Sequence, residues 1–96
     1  MKKGYWVAKA IVIDGDKQGA YGKLAEEVIA KFNGKFLVRG GEQITKEGTE
    51  FMRNVVVEFP SFEVALEAYE SDDYQHALTV LDGGAERAFA IVEGYE

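Results

Sequence analysis

Arg39 and the glycine pair behind it, Gly40-Gly41, are the residues of this chain best suited to chemistry. Arg39 ends the apolar run Phe36-Leu37-Val38, which reads as a buried strand. Arginine in such a strand is costly unless an anion or a carboxylate meets it. Its guanidinium can clamp a carboxylate or enolate oxygen of a small ligand. It can equally form a structural ion pair, with Glu58 or Glu93 as the expected partner. Paired glycines in a strand mark a bulge or a close approach of another group. Gly40 and Gly41 can therefore present backbone amides to the same anion.

His76 is the only side chain that titrates near neutrality without help. Asp73, three residues earlier on a helix, is placed to orient its imidazole. His76 and Tyr74 are the expected proton carriers; the bland alternatives are an exposed helix histidine and a core tyrosine with a bonded hydroxyl. Arg39, Gly40 and Gly41 are the expected ligand contacts. The ligand is expected between a helical layer and a sheet, near Arg39, Gly40 and the Tyr74–His76 turn. One histidine and no cysteine leave only carboxylates for a metal, so no metal site is expected. No nucleophile triad, phosphate loop or nucleotide fingerprint appears, and no cofactor is expected.

The chain has 96 residues, 47% of them hydrophobic, and no cysteine. It fits one domain, residues 1–96. Its net charge is −6 and is divided unevenly. Residues 1–48 hold nine Lys/Arg against six Asp/Glu, and residues 49–96 hold two against eleven. The total repels phosphates, which argues against a nucleic-acid partner. The asymmetry lets the halves attract, within a chain or across a dimer. No apolar run approaches the ~20 residues of a membrane span, and Lys2-Lys3-Gly4 leads straight into a strand rather than a signal core. A cytoplasmic domain without membrane contact is expected.

These residues need a scaffold. Tyr5 to Ile13 is a nearly continuous apolar run and reads as a strand covered on both faces. Its alternation sends Tyr5 and Trp6 to opposite sides. Asp14 or Asp16 caps a helix carrying Tyr21, Leu24, Ala25, Val28, Ile29 and Phe32, and Asn33-Gly34 stops it. Lys35 to about Lys46 reads as a strand interrupted at Gly40-Gly41. Phe51–Phe59 reads as its antiparallel hairpin partner after a short turn. Ser61 caps a helix over Phe62–Tyr69, and Ser71-Asp72-Asp73 breaks and re-caps it before Tyr74–Leu81. Arg87–Glu93 reads as the last strand. The order β-α-β-β-α-β is the ferredoxin-like arrangement, a four-stranded antiparallel α+β sheet with helices on one face. The other face would expose an apolar patch, and a two-fold dimer with sheet facing sheet covers it.

The runs Lys3-Gly4-Tyr5-Trp6-Val7-Ala8, Gly34-Lys35-Phe36-Leu37-Val38-Arg39-Gly40-Gly41, Val56-Val57-Glu58-Phe59-Pro60-Ser61, Ala68-Tyr69-Glu70-Ser71, Asp73-Tyr74-Gln75 and Val92-Glu93-Gly94 occur in this order. Together they resemble a bacterial family of domains of unknown function, number thirteen-thirty, in the dimeric α+β barrel superfamily. The resemblance spans residues 3–94. Ser71-Asp72-Asp73-Tyr74 departs from the family's usual Ser-Pro-Glu-Tyr. The resemblance implies a homodimer whose sheets form a barrel, and it implies no particular reaction. Three readings follow. The first is a small-ligand-binding dimer or cofactor-free enzyme acting on a small anionic or aromatic metabolite. The second is a structural or ligand-sensing homodimer without turnover. The third, a regulatory domain of a DNA-binding partner, ranks last because the charge opposes it.

Overall fold

The computed structural model describes residues 2–95. Its elements run β1 (Gly4–Val12), α1 (Gly15–Lys31), β2 (Lys35–Arg39), β3 (Arg53–Phe59), α2 (Phe62–Glu70), α3 (Asp72–Leu81) and β4 (Ala85–Glu93). The strands form one antiparallel sheet in the order β2-β3-β1-β4. This is the ferredoxin-like α+β fold, with the second helical connection broken into two helices. The shortest axis is 17 Å, one helical layer on one sheet.

Alternation along β1 sorts the two faces. Trp6, Ala8 and Ala10 point at the helices, while Tyr5, Val7 and Lys9 point away. Register extends the first set sideways. Val57, Trp6 and Ile91 form one row, Val55, Ala8 and Phe89 the next, and Arg53, Ala10 and Arg87 the third. The core is built around the first row. Trp6 stacks with Phe59 and Tyr74 at centroid distances of 4.9 and 4.8 Å, and its indole Nε1 donates to the Ala65 carbonyl at 2.9 Å. The opposite face is open and partly apolar, with Val38 40% and Val92 45% exposed. β1 is therefore covered on one face within the chain, not on both.

Three boundaries differ from the sequence reading. β2 ends at Arg39, and residues 40–52 form a loop rather than a continued strand and short turn. The reason is backbone conformation: Gly40 and Gly41 both take positive φ, 69° and 84°, which leaves the ladder instead of bulging it. The bulge lies earlier, between Phe36 and Val38. β4 begins two residues early, at Ala85.

The helix break falls where it was expected. Ser71 closes α2 and opens α3; its Oγ accepts from the Tyr74 amide at 3.2 Å and donates to the Ala68 carbonyl at 2.8 Å. Asp14, not Asp16, caps α1, accepting from the amides of Asp16 and Lys17. The buried residues of α1 are Ala25, Val28 and Ile29, all in its C-terminal half. The N-terminal half carries Gly15, Gly19 and Gly22. It is tied to the turn after α3 by a hydrogen bond from Lys17 Nζ to the Asp82 carbonyl at 2.8 Å. It stands over the sheet without filling the space beneath.

Candidate functional site

That unfilled space is a cavity of about 70 Å³ between the N-terminal half of α1 and the sheet. Small side chains create it. Ala8 and Ala10 form its floor, and Gly22 stands in its roof with nothing within 4 Å of where a Cβ would lie. Trp6, Phe36, Val55 and Phe89 make the walls apolar. The volume admits several waters, or the head group of a small metabolite.

Its charge is the notable property. All three arginines of the chain, Arg39, Arg53 and Arg87, line this cavity. No carboxylate lines it among the described residues. Arg53 and Arg87 are the only Lys/Arg of the acidic half, residues 49–96. They flank Ala10 on neighbouring strands, and neither forms an ion pair among the described residues.

Arg87 is held in place by aromatic groups. Its guanidinium carbon lies 5.0 Å from the ring centroids of both Tyr21 and Phe89. Its Nη2 donates to the Tyr74 hydroxyl at 3.2 Å, and that hydroxyl pairs with the Tyr21 hydroxyl at 2.6 Å. Burial, above all, pushes the Tyr74 hydroxyl far above its ordinary pKa of 10.0, so it stays protonated. Either hydroxyl can donate in that pair, and with Tyr74 donating, Tyr21, which lines the cavity, is free to donate into it. Burial works against the Arg87 charge, but the Tyr21 and Tyr74 oxygens outweigh it, and its pKa is raised above the ordinary guanidinium value.

Arg39 reaches the site through a change of strand parity. The bulge at Leu37 places Phe36 and Arg39 on the same, helix-facing side. The guanidinium then lies over the Phe36 ring, 4.3 Å from its centroid. Its carboxylate partner is Glu26 of α1, at 2.7 Å, and not Glu58 or Glu93. Glu58 belongs to the open face, where it accepts from the Tyr5 hydroxyl at 3.1 Å, and Glu93 lies opposite Gly4 on β4, the other edge strand from β2. β2 is an edge strand, so Arg39 is partly exposed rather than buried.

Gly40 serves the site indirectly. A Cβ there would lie 3.1 Å from Arg53 Nη1, so the missing side chain makes room for that guanidinium. Its amide donates to the Asn54 carbonyl at 2.8 Å and is not available to an anion. Gly41 has nothing within 4 Å of a Cβ position and lies outside the cavity wall.

His76 and Tyr74 do not converge. Two residues apart on a helix, they face opposite ways. Tyr74 is wholly buried, while His76 is exposed in a groove between α1 and α3 with Leu24, Glu27 and Lys31. Asp73 does not orient the imidazole; its carboxylate pairs with Lys31 at 3.2 Å. The sequence reading missed Arg53, Arg87, Gln18 and Tyr21 as site residues. The available signal was two lone cations in an otherwise acidic half.

Solved structures share this fold. A protein of unknown function from Rhodopseudomonas palustris aligns with a TM-score of 0.76 at 14% identity, covering 99% of this chain and 84% of its own. A dimeric ferredoxin-like protein of unknown function from Thermobifida fusca aligns at 0.64 and 11% identity, covering 96% and 91%. SnoaB, a cofactor-independent oxygenase from Streptomyces nogalater, also aligns at 0.64, with 10% identity and coverage of 100% and 96%. No curated protein sequence matches the chain. The family model "Domain of unknown function (DUF1330)" matches residues 3–95, and the chain belongs to that family.

Proposed function

We propose that this chain binds a small metabolite with an anionic head and an apolar or aromatic body in the cavity between α1 and the sheet. One observation carries the reading: an acidic chain gathers all three of its arginines around one apolar hollow that no described carboxylate enters. Arg53 and Arg87 have no ion-pair partner among the described residues, cations beside apolar walls are costly to leave unpaired, and a bound carboxylate or enolate would satisfy them. The working form is a homodimer joined through the open sheet faces. Apolar exposure at Val38 and Val92 supports this, as does the description of similar structures as dimeric.

A second reading, cofactor-free turnover of the same ligand, draws on the Arg87–Tyr74–Tyr21 chain. A guanidinium and a polarised hydroxyl can stabilise an enolate as well as a carboxylate. The structural likeness to a cofactor-independent oxygenase fits this reading.

Calorimetric titration with phenylacetate and with its neutral isostere phenylacetamide tests the binding. Phenylacetate should bind, the amide should not, and Arg87→Met should weaken phenylacetate by about 10- to 100-fold. Equal binding of acid and amide would remove the anion site. Size exclusion with light scattering should give about twice the 10.6 kDa chain mass. A monomer at all concentrations would remove the dimer.

A further inference from the structure

Two buried polar side-chain atoms, Arg87 Nη1 and Gln18 Oε1, lack a hydrogen-bond partner among the described residues. Both belong to side chains that line the arginine-rich cavity. Buried polar groups are almost always satisfied, so each of these two orphans asks for a partner within the hollow, and one ligand carrying both an acceptor and a donor can serve the two. Their chemistry is opposite. Arg87 Nη1 is a charged donor and calls for an anionic acceptor. Gln18 Oε1 is a neutral acceptor and calls for an O–H or N–H.

From this pair we infer that the cavity is built for a 2-hydroxy acid or the equivalent enol acid, in which a carboxylate and a hydroxyl sit on adjacent carbons. The inference rests on the anion-binding reading above and narrows it. The carboxylate accepts from Arg87 Nη1 and from the Tyr21 hydroxyl, which lines the cavity and donates into it when Tyr74 donates to Tyr21. The ligand hydroxyl donates to Gln18 Oε1. An ammonium could also donate to Gln18, but it would stand among Arg39, Arg53 and Arg87. Like charge in an apolar hollow disfavours it, so the donor is a neutral hydroxyl and amino acids are excluded. Trp6, Phe36 and Phe89 then meet the apolar remainder of the molecule.

The pair mandelate and phenylacetate differs by that hydroxyl alone. Calorimetry on the parent protein and on Gln18→Met should show one mandelate enantiomer binding about three- to tenfold tighter than phenylacetate to the parent. In Gln18→Met the preference should vanish while phenylacetate affinity stays within about twofold. Melting curves of the two proteins establish that the variant is folded. Phenylacetate binding without a mandelate preference would overturn the hydroxyl inference and leave the anion site standing. A preference that survives in Gln18→Met would overturn the role of Gln18. Failure of both acids to bind would overturn the anion-binding reading, and this inference with it.

Discussion

The two ends of the helix-covered face are made from the same strands and do opposite things. Around Trp6 the layer is filled. Phe59, Tyr74, Phe89 and Tyr69 all approach the indole with ring centroids 4.8 to 6.3 Å away, and Ala65, Ala68 and Ala77 are fully buried beside them. Two and four residues further along β1, Ala8 and Ala10 leave a hollow, and its rim is cationic. The helix above follows the same division. The C-terminal half of α1 buries Ala25, Val28 and Ile29, and the glycine-bearing N-terminal half reaches the core through Tyr21. The cavity beside Tyr21 need not be filled for the fold to stand. Stability lives in the filled end, and recognition can be tuned in the hollow end.

Removing the centre of the filled end should have the largest effect. Trp6→Ala should cost about 3–5 kcal/mol in urea unfolding, since Trp6 is 2% exposed and its indole nitrogen is bonded. A loss below about 1 kcal/mol would show that Trp6 does not organise the core.

Adding volume sharpens the contrast. Ala77→Leu, in the filled end, should cost about 1–3 kcal/mol by overpacking. Ala8→Val, on the floor of the hollow, should change stability by less than about 0.5 kcal/mol and weaken phenylacetate binding. Equal costs at both positions would erase the distinction.

The tyrosine that joins the two ends gives a pH signature. Tyr74 has its folded pKa raised above the unfolded 10.0. Its contribution is fully present below pH 10.0 and is lost above it, because only the unfolded chain ionises there. Stability should fall by about 1.4 kcal/mol per pH unit above that point. Tyr74→Phe should reduce this slope, leaving the smaller part that comes from Tyr5, whose pKa is also raised, at a cost of about 1–3 kcal/mol at neutral pH from the Arg87 and Tyr21 groups it orphans. Identical alkaline slopes in parent and variant would contradict the burial of the hydroxyl.

Arg39→Met should have the smallest effect, a change under about 1 kcal/mol in thermal melts. Its partner Glu26 is 57% exposed and can be hydrated when left alone. A loss of several kcal/mol would mean that the pair is structural.

Much of the fold was legible in the sequence because it is written in local signals. The serine before Asp72-Asp73 marked the helix break, Asn33-Gly34 marked the end of α1, and Trp6 and Tyr5 fell on opposite faces by simple alternation. The site was less legible because non-local pairing assembles it. Arg53 and Arg87 come from different strands, and only the register against Ala10 puts them in one row. The bulge at Leu37, which turns Arg39 inward, leaves no composition signal. His76 and Tyr74 are separated for a simpler reason: two residues apart on a helix, they take opposite phases.

Backbone and side-chain chemical-shift mapping during a phenylacetate titration tests the central claim most directly. The arginine-lined hollow predicts saturable shifts at Ala8, Ala10, Gln18, Gly22 and the Arg87 guanidinium, with His76 and Asp73 unmoved. Shifts gathered in the groove around His76 instead, or none at millimolar ligand, would contradict it.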